Sequence, residues 1–90
     1  MSVFSYLKLP VPEGEDESMR RDMDALLPVA REQPGFIWAE IVRPTDGPPA
    51  YVVLSEWETL DHLRAWEHHP QHEPVMETYP EKHERRRYNR

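Results

Sequence analysis

The chain has no cysteine. Disulfide staples, thiolate-held zinc or iron–sulfur centres and thiol nucleophiles are therefore excluded, and the absence suits the cytoplasm. Its three glycines, Gly14, Gly35 and Gly47, stand alone, so no glycine-rich loop exists to cradle the phosphates of a nucleotide cofactor. Ser2, Ser5, Ser18 and Ser55 sit in no nucleophile-elbow context, which argues against that hydrolytic triad. No apolar run approaches the roughly 20 residues of a membrane span, and no basic region followed by a hydrophobic stretch opens the chain. The expectation is a cytoplasmic protein, neither membrane-bound nor secreted.

What is present amounts to one domain, residues 1–90, at 10.8 kDa. A chain of this length buries about 65% of the surface it exposes when unfolded. Hydrophobic residues make up 38% and charged residues 31%, a polar balance for a folded unit and one that favours oligomerisation. Charge is unevenly placed: residues 1–80 carry a net −9 and residues 81–90 a net +3. An acidic body repels a phosphate backbone, so no nucleic-acid partner is expected. The basic segment reads as a solvated last strand that pairs with the body or with a neighbouring chain.

Val3 to Leu9 is rich in aromatic and branched residues and is closed by Pro10 and Pro12, as a first strand would be. Met19, Met23, Leu26, Leu27 and Ala30 then follow at helical spacing, with Asp16 and Glu17 in the first turn. Pro28 predicts a kink or a tightened last turn, and Pro34-Gly35 ends the helix. Phe36 to Val42 and Tyr51 to Trp57 read as a hairpin around the Pro44–Pro49 turn. Thr59 caps a second helix with Leu60, Leu63 and Trp66 as its apolar stripe. A Pro-interrupted segment, Gln71 to Thr78, precedes a last strand at Lys82 to Tyr88. The order predicts an α+β ferredoxin-like fold, β-α-β-β-α-β, with two helices on one face of a four-stranded antiparallel sheet.

The second and third strands bear large apolar groups on both faces: Phe36, Trp38 and Val42 against Ile37 and Ile41, and Tyr51 and Val53 against Val52 and Leu54. Helices cover one face only, and monomers rarely expose such a patch. A homodimer through the sheet faces is expected.

His62, His68, His69 and His72 cluster around the end of the second helix. At 100° per residue His62, Trp66 and His69 share one side of it, at the edge where a pocket between helix and sheet opens. Pro70 breaks the helix between His68 and His72 and no third ligand is evident, so no metal site is expected. Trp38, Tyr51, Trp57, Trp66 and Tyr79 offer flat walls for a planar ligand such as a phenol, a quinol or a porphyrin. An imidazole there would move a proton near neutral pH.

Four segments carry a resemblance: Gln33-Pro34-Gly35-Phe36, Val52-Val53-Leu54-Ser55-Glu56-Trp57-Glu58, Leu63-Arg64-Ala65-Trp66 and His69-Pro70-Gln71-His72. In order and spacing, from about Leu27 to Tyr79, they resemble the antibiotic biosynthesis monooxygenase domain. That resemblance implies a dimeric α+β barrel, and it implies direct reaction of a small phenolic or quinol-like compound with O2, without a cofactor. It places His62, Trp66 and His72 at the pocket, so that His72 or His62 is the expected base; Trp66 and, from the aromatic walls, Trp38, Trp57 and Tyr51 are the expected substrate-binding residues.

The family also includes proteins without known chemistry, which leaves a non-catalytic ligand-binding or stress-associated dimer as the alternative. Haem-degrading members are the third reading. They use an axial histidine further along, where Met76 stands here, and an asparagine in the first strand, whereas the single asparagine of this chain is Asn89. Haem stacked on the aromatic walls over His72 or His69 is what remains of that reading.

Overall fold

The structure is a computed structural model and describes residues 1–79 and 84–90. The elements run β1 (Val3–Pro10), α1 (Asp16–Arg31), β2 (Phe36–Val42), β3 (Ala50–Trp57), α2 (Leu60–Glu67), α3 (Glu73–Thr78) and β4 (Glu84–Asn89). The four strands form one antiparallel sheet in the order β2-β3-β1-β4, the expected α+β ferredoxin-like arrangement. The last strand begins at Glu84; Lys82 and His83, expected at its start, lie outside the described residues.

Strand alternation decides what the helices cover. On β1, Val3, Ser5, Leu7 and Leu9 are buried, while Phe4, Tyr6, Lys8 and Pro10 are half-exposed. Across the β1–β3 ladder the buried set meets Trp57, Ser55, Val53 and Tyr51, which builds the helix-facing side. Two apolar clusters occupy it. One joins Leu7, Leu9, Met19, Met23, Tyr51 and Tyr79, and the other joins Val3, Ala30, Trp57, Leu63 and Trp66.

The helix α1 continues through Pro28, whose ring sits on the exposed side. Its end tightens as expected: Glu32 N donates to Val29 O (3.2 Å) and Gln33 N to Ala30 O (3.0 Å), three residues back rather than four. Gly35 follows with φ +82°, and a Cβ there would stand 2.3 Å from the His62 ring, so backbone conformation and space both require glycine. Thr59 caps α2 as read, its hydroxyl accepting from His62 N at 3.2 Å.

Two features depart from the sequence reading. The Gln71–Thr78 segment contains a short helix, α3, because Pro74 falls in its first turn, where a missing N–H costs nothing. On β2, the register shifts at Ile37: Phe36 pairs with Trp57 but Trp38 pairs with Glu56. Ile37 is the extra residue of a bulge. Phe36 therefore joins Ala39 and Ile41 on the helix side, and Trp38 joins Val42 on the open side.

Candidate functional site

A narrow cavity, open to solvent at its mouth, lies between the sheet and the helices. Leu7, Ala39, Ile41, Val53, Ser55 and Trp57 form its floor, Met23, Leu26, Leu27 and Ala30 of α1 one wall, and Trp66, His72 and Met76 the other. Among the described residues Ser55 and His72 are its only hydrophilic side chains, and Ser55 Oγ accepts a hydrogen bond from Trp57 Nε1 at 3.0 Å. His72 is thus the single titratable group of the lining among the described residues.

The local sequence explains how the imidazole comes to point inward. α2 ends at Glu67, and its last carbonyls lack partners within the helix. His69 N bonds to Trp66 O (3.0 Å) and His72 N to His69 O (2.9 Å), so the chain turns tightly from α2 into α3. That turn brings His72 back under α2, where its Nδ1 lies 3.1 Å from the Glu67 carbonyl. A carbonyl only accepts, so Nδ1 carries the proton and Nε2 is the basic nitrogen. The ring sits 4.7 Å from that of Trp66, which stacks at 6.2 Å on Trp57. His72 is 6% exposed. Burial pushes its pKa below the ordinary imidazole value, partly offset by the Glu67 carbonyl, and Arg85 pushes the same way as burial. The neutral imidazole is therefore the form present at pH 7.

Of the six residues singled out from the sequence, His72, Trp66 and Trp57 meet at this cavity, and three others lie elsewhere. His62 packs over Gly35 with its Nδ1 2.7 Å from Thr59 Oγ1, outside the cavity lining. The shared helix side with Trp66 did not bring it inward, because the apolar ridge of α2 turns Leu63 and Trp66 to the core and leaves His62 at the margin. Tyr51 belongs to the neighbouring core cluster, where its hydroxyl donates to Asp16 and Arg43 lies 4.6 Å over its ring. Trp38 is carried by the Ile37 bulge to the opposite face of the sheet, and its indole donates to Glu56 at 2.7 Å. Tyr79 also stays out of the lining; its hydroxyl donates to Asp22 at 2.6 Å and ties the end of α3 to α1.

Sequence reasoning missed the α1 wall and Ser55. Both were within reach, since Ser55 shares the alternation of Val53 and Trp57, and Met23, Leu26 and Ala30 share one helical face. It also missed the carboxylate behind the histidine. Glu67 accepts from Arg85 Nη1 (2.7 Å) and from both Arg87 Nη2 (2.8 Å) and Nε (3.1 Å). Part of the basic segment thus pairs with the acidic body of its own chain. Arg90 does the same on the open face, meeting Glu56 at 3.0 and 3.1 Å. Glu56 is 4% exposed and also accepts from Ser2 and Trp38; these bonds, the one from Ser2 foremost, hold its carboxyl below the usual range.

Among the described residues no group of three His, Cys, Asp or Glu side chains could hold a metal ion, and no helix is long and apolar enough to cross a membrane.

Comparisons with known proteins match this architecture. The uncharacterized protein YqjZ of Bacillus subtilis is 32% identical over 75 residues, covering 83% of this chain; the chain spans 60% of that relative's length. A heme oxygenase (mycobilin-producing) of Mycobacterium tuberculosis is 26% identical over 70 residues, covering 78% of this chain and 67% of its own. Among solved structures, the "putative antibiotic biosynthesis monooxygenase" from Nitrosomonas europaea superposes with a TM-score of 0.89 at 14% identity, covering 99% of this chain and 89% of its own. SnoaB, a cofactor-independent oxygenase from Streptomyces nogalater, superposes with a TM-score of 0.83 at 19% identity, covering 99% and 92%. The sequence model described as antibiotic biosynthesis monooxygenase matches residues 3–78, and the chain belongs to that family.

Proposed function

We propose that this protein is a cofactor-independent monooxygenase that oxidises a small phenolic or quinol-like aromatic compound with O2. The observation that carries the reading is His72, a buried imidazole whose Nδ1 is committed to a carbonyl and whose ring forms part of an otherwise apolar cavity wall. An electron-rich aromatic becomes able to reduce O2 once it is deprotonated. A base and a dry pocket are then the protein's whole contribution. For a methylene between aromatic rings, CH2 + O2 gives C=O + H2O: the carbon supplies all four electrons, one oxygen atom enters the carbonyl and the other leaves as water. No external reductant is needed.

In this reading His72 Nε2 takes the substrate proton, Trp66 and Trp57 present their rings to the planar substrate, and the α1 wall keeps water from the anion. Assembly follows the same reading. Phe4, Tyr6, Trp38 and Leu54 lie half-exposed on the open face, and a second copy of the chain covers them in a homodimer.

The haem oxygenase relative motivates a comparison with haem, and the cavity does not fit it. Haem carries two propionates, and among the described residues no Arg or Lys lines the cavity. Oxygen uptake with a panel of quinols and anthrones tests the proposal. Turnover is expected, with a loss of about 10²-fold or more in His72→Ala. Ligand-induced quenching of tryptophan fluorescence without turnover supports the non-catalytic binding reading instead, and a Soret shift on haem titration overturns the exclusion of haem.

A further inference from the structure

We infer that Glu67, clamped by Arg85 and Arg87, is the positioning residue for His72, so that the last strand sets the orientation and tautomer of the imidazole. Its catalytic consequence rests on His72 being the base proposed above; the structural part does not.

The chain of contacts is short. Nδ1 of His72 is held by the main-chain carbonyl of Glu67, the last residue of α2. A helix of eight residues has little intrinsic stability, and its final turn frays unless something fixes it. Here the Glu67 side chain, 8% exposed, is gripped at both oxygens: Arg87 spans Oε1 and Oε2, and Arg85 takes Oε2. Both arginines stand on β4, paired to β1 at Leu7 and Ser5. The carbonyl that aims the imidazole is therefore anchored to the sheet rather than to the short helix alone.

The same groups form the electrostatic surroundings of the ring. Two guanidiniums against one carboxylate leave excess positive charge on the α2–β4 side, and His69 adds a titratable neighbour. Among the described residues, α1, α3 and the sheet floor present no charged side chain to the cavity. The Arg85 charge disfavours protonation of His72 and the Glu67 carboxylate favours it, so a change in the clamp is readable in the titration of the ring.

The test is a nitrogen-resolved NMR titration of the full chain, with the His72 signal assigned by its loss in His72→Gln, alongside oxygen uptake. Glu67→Gln is expected to lower the His72 titration midpoint and to populate both tautomers. Arg85→Met is expected to raise the midpoint, and Arg85→Lys, which keeps the charge, to return it to the parent value. With an active substrate, Glu67→Gln should reduce kcat by about ten- to a hundredfold with KM little changed. A His72 midpoint and tautomer in Glu67→Gln identical to the parent overturns the inference, and this variant carries the test if Arg85→Met fails to fold. Titrations that move as stated in a protein without turnover leave the positioning role standing and remove the proposed oxygenase.

Discussion

The two faces of the sheet share every backbone hydrogen bond yet are finished in different ways. The helix-facing side is closed by the chain itself: Trp57 and Leu9 are fully buried there, and the His72 imidazole sits among hydrocarbon. The other side carries half-exposed Phe4, Tyr6 and Trp38 around a buried carboxylate, Glu56, held by Ser2, Trp38 and Arg90. The first face is organised by exclusion of water from apolar groups. The second is organised by a charge whose every partner must stay in place, since a buried carboxylate is costly without them.

The largest test of that contrast is Trp57→Ala, which removes the ring at the centre of the helix face. A loss of about 3–5 kcal/mol in chemical denaturation is expected, whereas Trp38→Ala, on the open face, should cost markedly less. Equal losses would break the distinction. Next comes Leu54→Glu, which places a charge in the open face opposite Tyr6. Sedimentation is expected to fall from twice 10.8 kDa to the single-chain mass with the fold retained; a parent that already sediments as one chain sinks the proposed dimer.

Gly35→Ala probes how tightly the helix side closes. It is expected to destabilise by about 1–3 kcal/mol, and part of that should return in Gly35→Ala combined with His62→Ala, because the clash is with the His62 ring. No recovery in the double variant would place the whole cost in the backbone.

The smallest effects separate the faces by pH. His72 resists protonation when folded, so its contribution is full above the unfolded value of about 6.5 and is lost as pH falls from there towards the lowered folded value. Glu56 keeps its charge when folded, so its contribution is present above about 4.5 and is lost as pH falls through the lowered folded value. Asp16, lowered by its bonds from Tyr51 and then Arg43, shares that second window. Denaturation midpoints followed against pH should therefore drop in two stages. His72→Gln should remove the first and Glu56→Gln should shrink the second.

Much of the helix face was legible because its signals are local. The Met19–Ala30 spacing, the Thr59 cap and the β1 alternation each act within a few residues, and each gave the element observed. His72 and Trp66 were marked by the histidine cluster and the apolar stripe of α2 and then by the family resemblance, and their rings lie 4.7 Å apart. The open face was harder. A single bulge residue, Ile37, changes which side Trp38 occupies, and nothing in the run Phe36-Ile37-Trp38-Ala39 marks where the register slips. α3 went unread because Pro74 was taken as an interruption rather than a helix start. The clamp on Glu67 joins groups 18 and 20 positions apart, a distance at which charge patterning along the chain carries no address.

The strand order has a consequence for the timing of synthesis. β1 is made early, yet both its neighbours come later: Val3 pairs with Trp57 on one side and with Asn89 on the other. Until β3 and then β4 leave the ribosome, the central strand has two bare edges and no sheet to join. Contacts so distant in sequence close slowly, and exposed edges invite pairing with other chains. The arginines of β4 thus arrive last at the carboxylates they hold, and their pairing with Glu67 and Glu56 coincides with completion of the sheet.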